Sequence, residues 1–378
     1  MNDADPSSSR DHLLDLACEA NRRLLGPDQA EQLARLDRER PSLEAWMDRL
    51  VASAETEQAL SLAGALARFW WMRGDAAAGL ARIRRALALQ GGSDRARASA
   101  LIGAGSLLYA TGDFRGAREH HERAAALLEP GDDPEIARAL DGAGMAARQS
   151  MDLADAAALH GRALAILRRL PAPAELALCL NNLGVVAFFQ GDLAAARAYH
   201  EEALALRESA GDSRGEASSL NNLGQIARLS GDLPAARALT EEGLKIRRGL
   251  GDAWGIAGSY CNIAMIFARL RDLEAARAHL RGAIAGFRGV DDPLGIIECL
   301  EAGAEIAAAE GKWSDAVALA TSATDRRARL PAPRAPVHER ALHALLAEAR
   351  GALGEDAFAL ATREAGERAD RLLAHGRG

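Results

Sequence analysis

The chain has 378 residues, 49% of them hydrophobic but only 4% aromatic, and a formal charge of −7 at neutral pH. This mildly acidic balance gives no electrostatic footing for nucleic acid, and no apolar run is long enough to cross a membrane. Cys18, Cys179, Cys261 and Cys299 are far apart and form no C-x-x-C pair, which argues against a disulfide framework and for a reducing, cytoplasmic setting.

In chain order, residues 1–10 lack a signal-peptide pattern and are expected to be disordered. Residues 11–55 read as a helical lead-in or cap, with Pro41 expected to open a helix through Leu43, Trp46 and Leu50. Residues 56–330 then carry seven units of about 40 residues. Gly105, Gly144, Gly184, Gly224, Ala264 and Ala304 hold one small position of the unit. Twelve residues later come Ala117, Ala156, Ala196, Ala236, Ala276 and Ala316, and Phe114, Leu153, Leu193, Leu233, Leu273 and Trp313 supply the large residue between them. Small residues let two helices approach closely, and large ones fill the space beside them. The pairs beginning at Gly74, Gly112, Gly191 and Gly231 join Gly to Asp, the order that ends one helix and caps the next. Met151, Arg271 and Gly311-Lys312 keep the place without the pair. Residues 331–378 read as a degenerate eighth unit and C-terminal helical cap. The pattern predicts an all-α, right-handed superhelical solenoid of antiparallel helix pairs with a long concave face.

This small–large–small phasing resembles the tetratricopeptide repeat, in units longer than the usual 34 residues. The stretches Gly26-Pro-Asp-Gln-Ala-Glu-Gln-Leu-Ala-Arg-Leu-Asp37, Ala65-Leu-Ala-Arg-Phe-Trp-Trp-Met-Arg-Gly-Asp75 and Ala352-Leu-Gly-Glu-Asp-Ala-Phe358 are similar to the C-terminal arm of LuxR- and AfsR-type bacterial signalling ATPases. What the resemblance implies is a shared sensor or interaction arm. It is expected to carry over neither ATP hydrolysis, because no G-x-x-x-x-G-K-[ST] loop is present, nor promoter binding, because no segment is left for a separate DNA-binding domain.

Gly211-Asp-Ser-Arg-Gly215 matches the G-x-S-x-G nucleophile elbow, but it aligns with the inter-unit loop Gly251-Asp-Ala-Trp-Gly255 and lacks the preceding strand. His121, His160 and His200 recur at one unit position. With no Cys or carboxylate beside them at ligand spacing in the sequence, they read as packing residues and no metal or cofactor is expected.

The asparagines carry the binding hypothesis, because Asn is costly inside helices without a use. Asn181, Asn221, Asn222 and Asn262 lie on the first helices of successive units, and Asn221, Gln225 and Arg228 share one face. Together with Arg148, Phe188, Arg269, Glu301 and Glu305 they are expected to line the concave groove. Side-chain amides both donate and accept, which suits the backbone of an extended peptide. The alternative is that the amides tie neighbouring helices together. The arginines suit an acidic group or a C-terminal carboxylate, and the patch Glu298, Glu301 and Glu305 is expected to repel it, giving the segment a direction. The leading reading is therefore a protein- or peptide-binding scaffold or sensor with no catalytic constellation. Its rivals are the ligand-sensing arm of a transcriptional regulator that lacks its ATPase and DNA-binding parts, and a biosynthetic enzyme that has recruited the groove.

Overall fold

The computed structural model describes residues 6–24, 28–131, 133–330 and 333–374. Among these there are nineteen α-helices and no strand. The chain divides into two compact units, Met1–Glu175 and Leu176–Gly378. Residues 1–5 of the stretch expected to be disordered lie outside the described residues, and helix starts at Pro6.

In the first unit α1 (Pro6–Arg23) and α2 (Gln29–Ala52) precede three helix pairs. These are α3 (Thr56–Met72) with α4 (Ala76–Leu87), α5 (Asp94–Ala110) with α6 (Phe114–Leu128), and α7 (Pro134–Gln149) with α8 (Leu153–Leu167). Their core joins Trp46, Leu60, Phe69, Trp70 and Leu107 to many alanines, all buried. Trp71, beside them in sequence, is exposed, because a helix cannot bury every direction. Pro41 does not open a helix; it lies inside α2, which runs on to bury Leu43, Trp46, Met47 and Leu50. Burial of that apolar face outweighs the lost hydrogen bond of an interior proline.

The second unit begins within α9 (Pro173–Gln190). It continues as α10 (Leu193–Ala210), α11 (Ser213–Leu229), α12 (Leu233–Leu250), α13 (Ala253–Arg269), α14 (Leu273–Gly289), α15 (Pro293–Ala309) and α16 (Trp313–Arg327). Within it α11 packs on α12, α13 on α14 and α15 on α16, and α12 and α14 each pack on the helix that follows. The end is less regular. Helices α17 (Pro336–Leu353), α18 (Glu355–Arg363) and α19 (Ala365–Ala374) all contact α16, with Ala369 and Leu373 of α19 entering the core of α15 and α16.

The junctions follow from local chemistry. Gly191 and Gly231 stand at φ 83° and 84°, the left-handed region open to glycine. Met151 and Arg271 adopt it too, at 62° and 65°, without glycine's freedom. The aspartate that follows caps the next helix: Asp192 Oδ1 accepts from the Ala195 amide at 2.9 Å and Asp232 Oδ1 from Ala235 at 3.1 Å. Pro134 and Pro293 take the first helical turn behind Asp133 and Asp292, as expected. Gly211 ends α10 in the left-handed region and Asp212 caps α11, so the serine of the G-x-S-x-G match simply begins a helix.

Small residues and histidines interlock within the pairs. A Cβ on Gly144 would come within 2.7 Å of the His160 ring, and one on Gly184 within 2.6 Å of the His200 ring. His121, His160 and His200 are all buried. His160 Nδ1 also lies 2.7 Å from Asp141 Oδ1, so one carboxylate does join a histidine that the sequence showed alone. Burial pushes His121 down to about 4, and the same cause brings His200 to about 4.

Candidate functional site

The second unit holds a cavity of about 210 Å³. Phe188 and Phe189 of α9, Gln225 and Arg228 of α11, Asn262, Met265 and Arg269 of α13, and Glu298, Glu301 and Glu305 of α15 form one side. Successive first helices present the same face, which is why residues about 40 apart in sequence converge. Arg327 lines the cavity from the end of α16, and Arg334, His338, Leu342 and Leu345 close it from the C-terminal segment.

Seven of the sequence-predicted residues thus meet in one cavity: Phe188, Gln225, Arg228, Asn262, Arg269, Glu301 and Glu305. Asn181, Asn221 and Asn222 are not among its lining residues. Their amides bond across neighbouring units instead: Asn222 Nδ2 donates to Asn181 Oδ1 at 3.3 Å, and Asn262 Nδ2 donates to Asn221 Oδ1 at 2.8 Å. Gln225 Nε2 adds a bond to Asn262 Oδ1 at 3.4 Å. The alternative weighed for the asparagines therefore describes their hydrogen bonds: they tie first helix to first helix, which answers the cost of placing Asn in a helix interior. Arg148 lies on α7 of the first unit, its Nη1 3.5 Å from Gln149 Oε1.

The charges divide the cavity in two. On one side Glu301 Oε1 accepts from Arg327 Nη2 at 3.0 Å and from Arg334 Nη2 at 2.9 Å. Arg334 Nη1 also donates to Glu339 at 2.6 Å. The expected acidic patch is thereby neutralised at its centre. On the other side Arg228 is only 1% exposed, and its Nε and Nη1 have no hydrogen-bond partner. Glu305 lies 3.8 Å from Arg228 Nη1 and 3.9 Å from Arg269 Nε, one carboxylate between two guanidiniums and beyond hydrogen-bonding reach of both. Burial pushes Arg228 below its ordinary value, partly opposed by Glu305, yet a guanidinium stays charged at neutral pH. Glu298 keeps an exposed edge, yet the protein around it and then the Glu301 charge push its carboxyl up to about 7. Burial and then the surrounding arginines, Arg228 foremost, push His338 down to about 4. The His338 ring lies 5.6 Å from that of Phe188.

Arg327, Arg334 and His338 escaped the sequence reading. The first ends a second helix and the other two lie past the last regular unit, where repeat phase no longer assigns a face. The only signal was the break Pro331-Ala-Pro-Arg-Ala-Pro336, which marks a departure from the stack without showing its direction.

A second repeating arginine is structural. Arg207 Nη1 donates to the Gly215 carbonyl at 3.1 Å and to Ser219 Oγ at 2.7 Å, and Arg247 Nη1 repeats this with Gly255 at 2.7 Å and Ser259 at 2.9 Å. Each fastens an inter-unit loop to the following helix.

Two family profiles described as tetratricopeptide repeat match this unit, over residues 175–249 and 257–285. The second unit carries tetratricopeptide repeats. No curated protein matches the sequence. Among solved structures, the chain is similar to a Rap protein complexed with competence and sporulation factor. That pair is 14% identical with a TM-score of 0.64, over 98% of this chain and 100% of the other. It is also similar to a signal transduction ATPase with a tetratricopeptide repeat sensor from Pyrococcus horikoshii, at 14% identity and TM-score 0.62, over 90% of this chain and 49% of that one. Aspartyl phosphate phosphatase F from Bacillus subtilis matches at 13% identity and TM-score 0.54, over 95% and 97%. At these identities the likeness is one of fold. No helix among the described residues is long and apolar enough to cross a membrane.

Proposed function

We propose that this tetratricopeptide-repeat chain is a protein- or peptide-binding scaffold or sensor whose second unit receives a segment bearing an acidic group. The observation that carries this is Arg228, a guanidinium buried at the wall of a cavity with two nitrogens unpartnered. A buried charged donor without a partner is unfavourable, and a carboxylate can engage a guanidinium through two parallel hydrogen bonds. Gln225, Asn262 and Arg269 lie along the same wall and supply further polar contacts. The Rap protein of similar fold, complexed with competence and sporulation factor, supports a partner of peptide or protein kind.

The test is selection of a displayed library of random short peptides on the purified chain. Acidic sequences are expected to enrich, and Arg228→Met is expected to weaken the selected peptide by ~10-fold or more. The same change is expected to hold or raise the thermal midpoint, because replacing a poorly paired buried charge with an apolar side chain is often neutral or stabilising. Equal binding by wild type and Arg228→Met would remove the basis for this reading.

A second reading is the sensor arm of a signalling ATPase. It is supported by the likeness to the Pyrococcus horikoshii protein, whose length this chain spans by about half. It uses the same cavity, with a small ligand or peptide inducer as the occupant.

A further inference from the structure

The cavity is closed by a piece of the chain itself. Residues 333–345 supply Pro333, Arg334, Ala335, His338, Leu342 and Leu345 to its lining. Arg334 reaches Glu301, and His338 lies against Phe188 on α9, four helix pairs earlier in the chain. The first turns of α17 therefore lie over the face formed by α11, α13 and α15 rather than only continuing the stack.

As an occupant this segment is mismatched. It satisfies the acidic half of the cavity, through Arg334 and Glu301. Toward the basic half it presents His338, a side chain held neutral among arginines, and leaves Arg228 Nε and Nη1 without hydrogen-bond partners. Its first turn also differs from those of the repeat helices. Helices α11, α13 and α15 begin behind Asp212, Asp252 and Asp292, whose side chains accept backbone hydrogen bonds. Helix α17 begins behind Ala335, which caps nothing, so its first turn lacks the stabilisation of a side-chain cap and is held by Arg334 on Glu301 and Glu339. Leu342 is buried with the core of α15 and α16, and past Leu345 the helix is fixed again, with Ala349 buried beside Val317 and Ala361.

We infer that residues 333–345 are a built-in occupant of the cavity, and that a partner segment carrying a carboxylate binds by taking their place on Arg228 and Arg269. The inference rests on the peptide-binding reading above and adds its regulation. A carboxylate-bearing segment gains the Arg228 contacts that the internal one cannot make. It competes against a tethered occupant at high effective concentration, so binding is conditional on release of α17.

The test uses the whole chain and one probe, a fluorescein-labelled synthetic peptide of residues 333–346 carrying His338→Asp, followed by fluorescence polarisation. Two chain variants move the internal occupant in opposite directions. Arg334→Ala removes its bond to Glu301 and is expected to bind the probe ~10-fold or more tightly than wild type. His338→Asp gives the internal segment its own carboxylate for Arg228 and is expected to bind the probe ~10-fold or more weakly than wild type. Glu301→Gln removes the same bond from the internal segment and from the probe alike, so it is expected to bind the probe about as wild type does, with helicity and melting recorded for all three. Hydrogen exchange of residues 334–345 is expected to rise in Arg334→Ala and fall in His338→Asp. Equal probe binding by wild type and both occupant variants, lost only with Arg228→Met, overturns the built-in occupant while leaving the peptide site standing. No probe binding by any chain, with exchange showing the segment released, overturns both.

Discussion

At the scale of single residues, glycine and histidine act as a pair. The second-helix position held by His160 and His200 places an imidazole against the first helix, where only a hydrogen atom fits, so Gly144 and Gly184 stand opposite. Where the same position carries Leu280, the small residue is Ala264. Gly184→Ala sets a methyl 2.6 Å from the His200 ring and is expected to cost ~1–3 kcal/mol, as overpacking of a filled core does. The double change Gly184→Ala with His200→Leu reproduces the combination found at Ala264 and Leu280 and is expected to recover most of it. Urea unfolding of the two variants checks this. A single variant as stable as wild type, or a double no better than the single, would show that the ring is free to move aside.

At the scale of the element, the junctions decide where helices stop. Most use glycine in the left-handed region, but Arg271 takes φ 65° with a side chain attached. It holds there because Asp272 N–H bonds back to the Phe267 carbonyl at 3.0 Å and Asp272 Oδ1 caps Ala275 at 3.1 Å. The conformation is over-determined from both sides, at a local cost of about 1 kcal/mol for the non-glycine residue. Arg271→Gly is accordingly expected to raise stability by no more than ~0.5 kcal/mol, net of the extra freedom glycine has in the unfolded chain. Denaturant titration measures it, and a fall in stability would mean the arginine makes a compensating contact.

At the scale of the whole molecule, three histidines set the response to acid. His121, His200 and His338 are each brought to about 4 in the fold, by burial in every case, against about 6.5 when unfolded. Their folded pKa is depressed, so the folded chain takes up fewer protons. Stability is full above about 6.5 and is lost as pH falls toward 4. Glu298 runs the other way: raised to about 7, it favours the fold at low pH and withdraws that support as pH rises from about 4.5 to 7. Three groups outweigh one, so the thermal midpoint is expected to fall between pH 6.5 and 4. His200→Leu is expected to remove on the order of 2 kcal/mol of that decline. A melting series against pH tests both statements, and an unchanged slope in His200→Leu would assign the decline elsewhere.

The helix pairs and their junctions were legible in the sequence because they depend on neighbours. A left-handed glycine, an aspartate cap and a small residue twelve positions before another are local rules, repeated until their phase stood out. The repeat lane brought Gln225, Arg228, Asn262, Arg269, Glu301 and Glu305 to one wall of a cavity for the same reason. Tertiary structure decided what each side chain does there. Whether an asparagine faces a ligand or an adjacent helix depends on the spacing between helices, and the close fit of α9, α11 and α13 turned Asn181, Asn222, Asn221 and Asn262 toward one another. The other wall lay further out of reach. Arg334 and His338 meet Glu301 and Phe188 across 33 and 150 residues of chain, and no local periodicity encodes that distance. Only the packing of α17 over the first helices, set by burial of Leu342 and the bond from Arg334 to Glu301, closed the cavity and left Arg228 Nε and Nη1 without a hydrogen-bond partner.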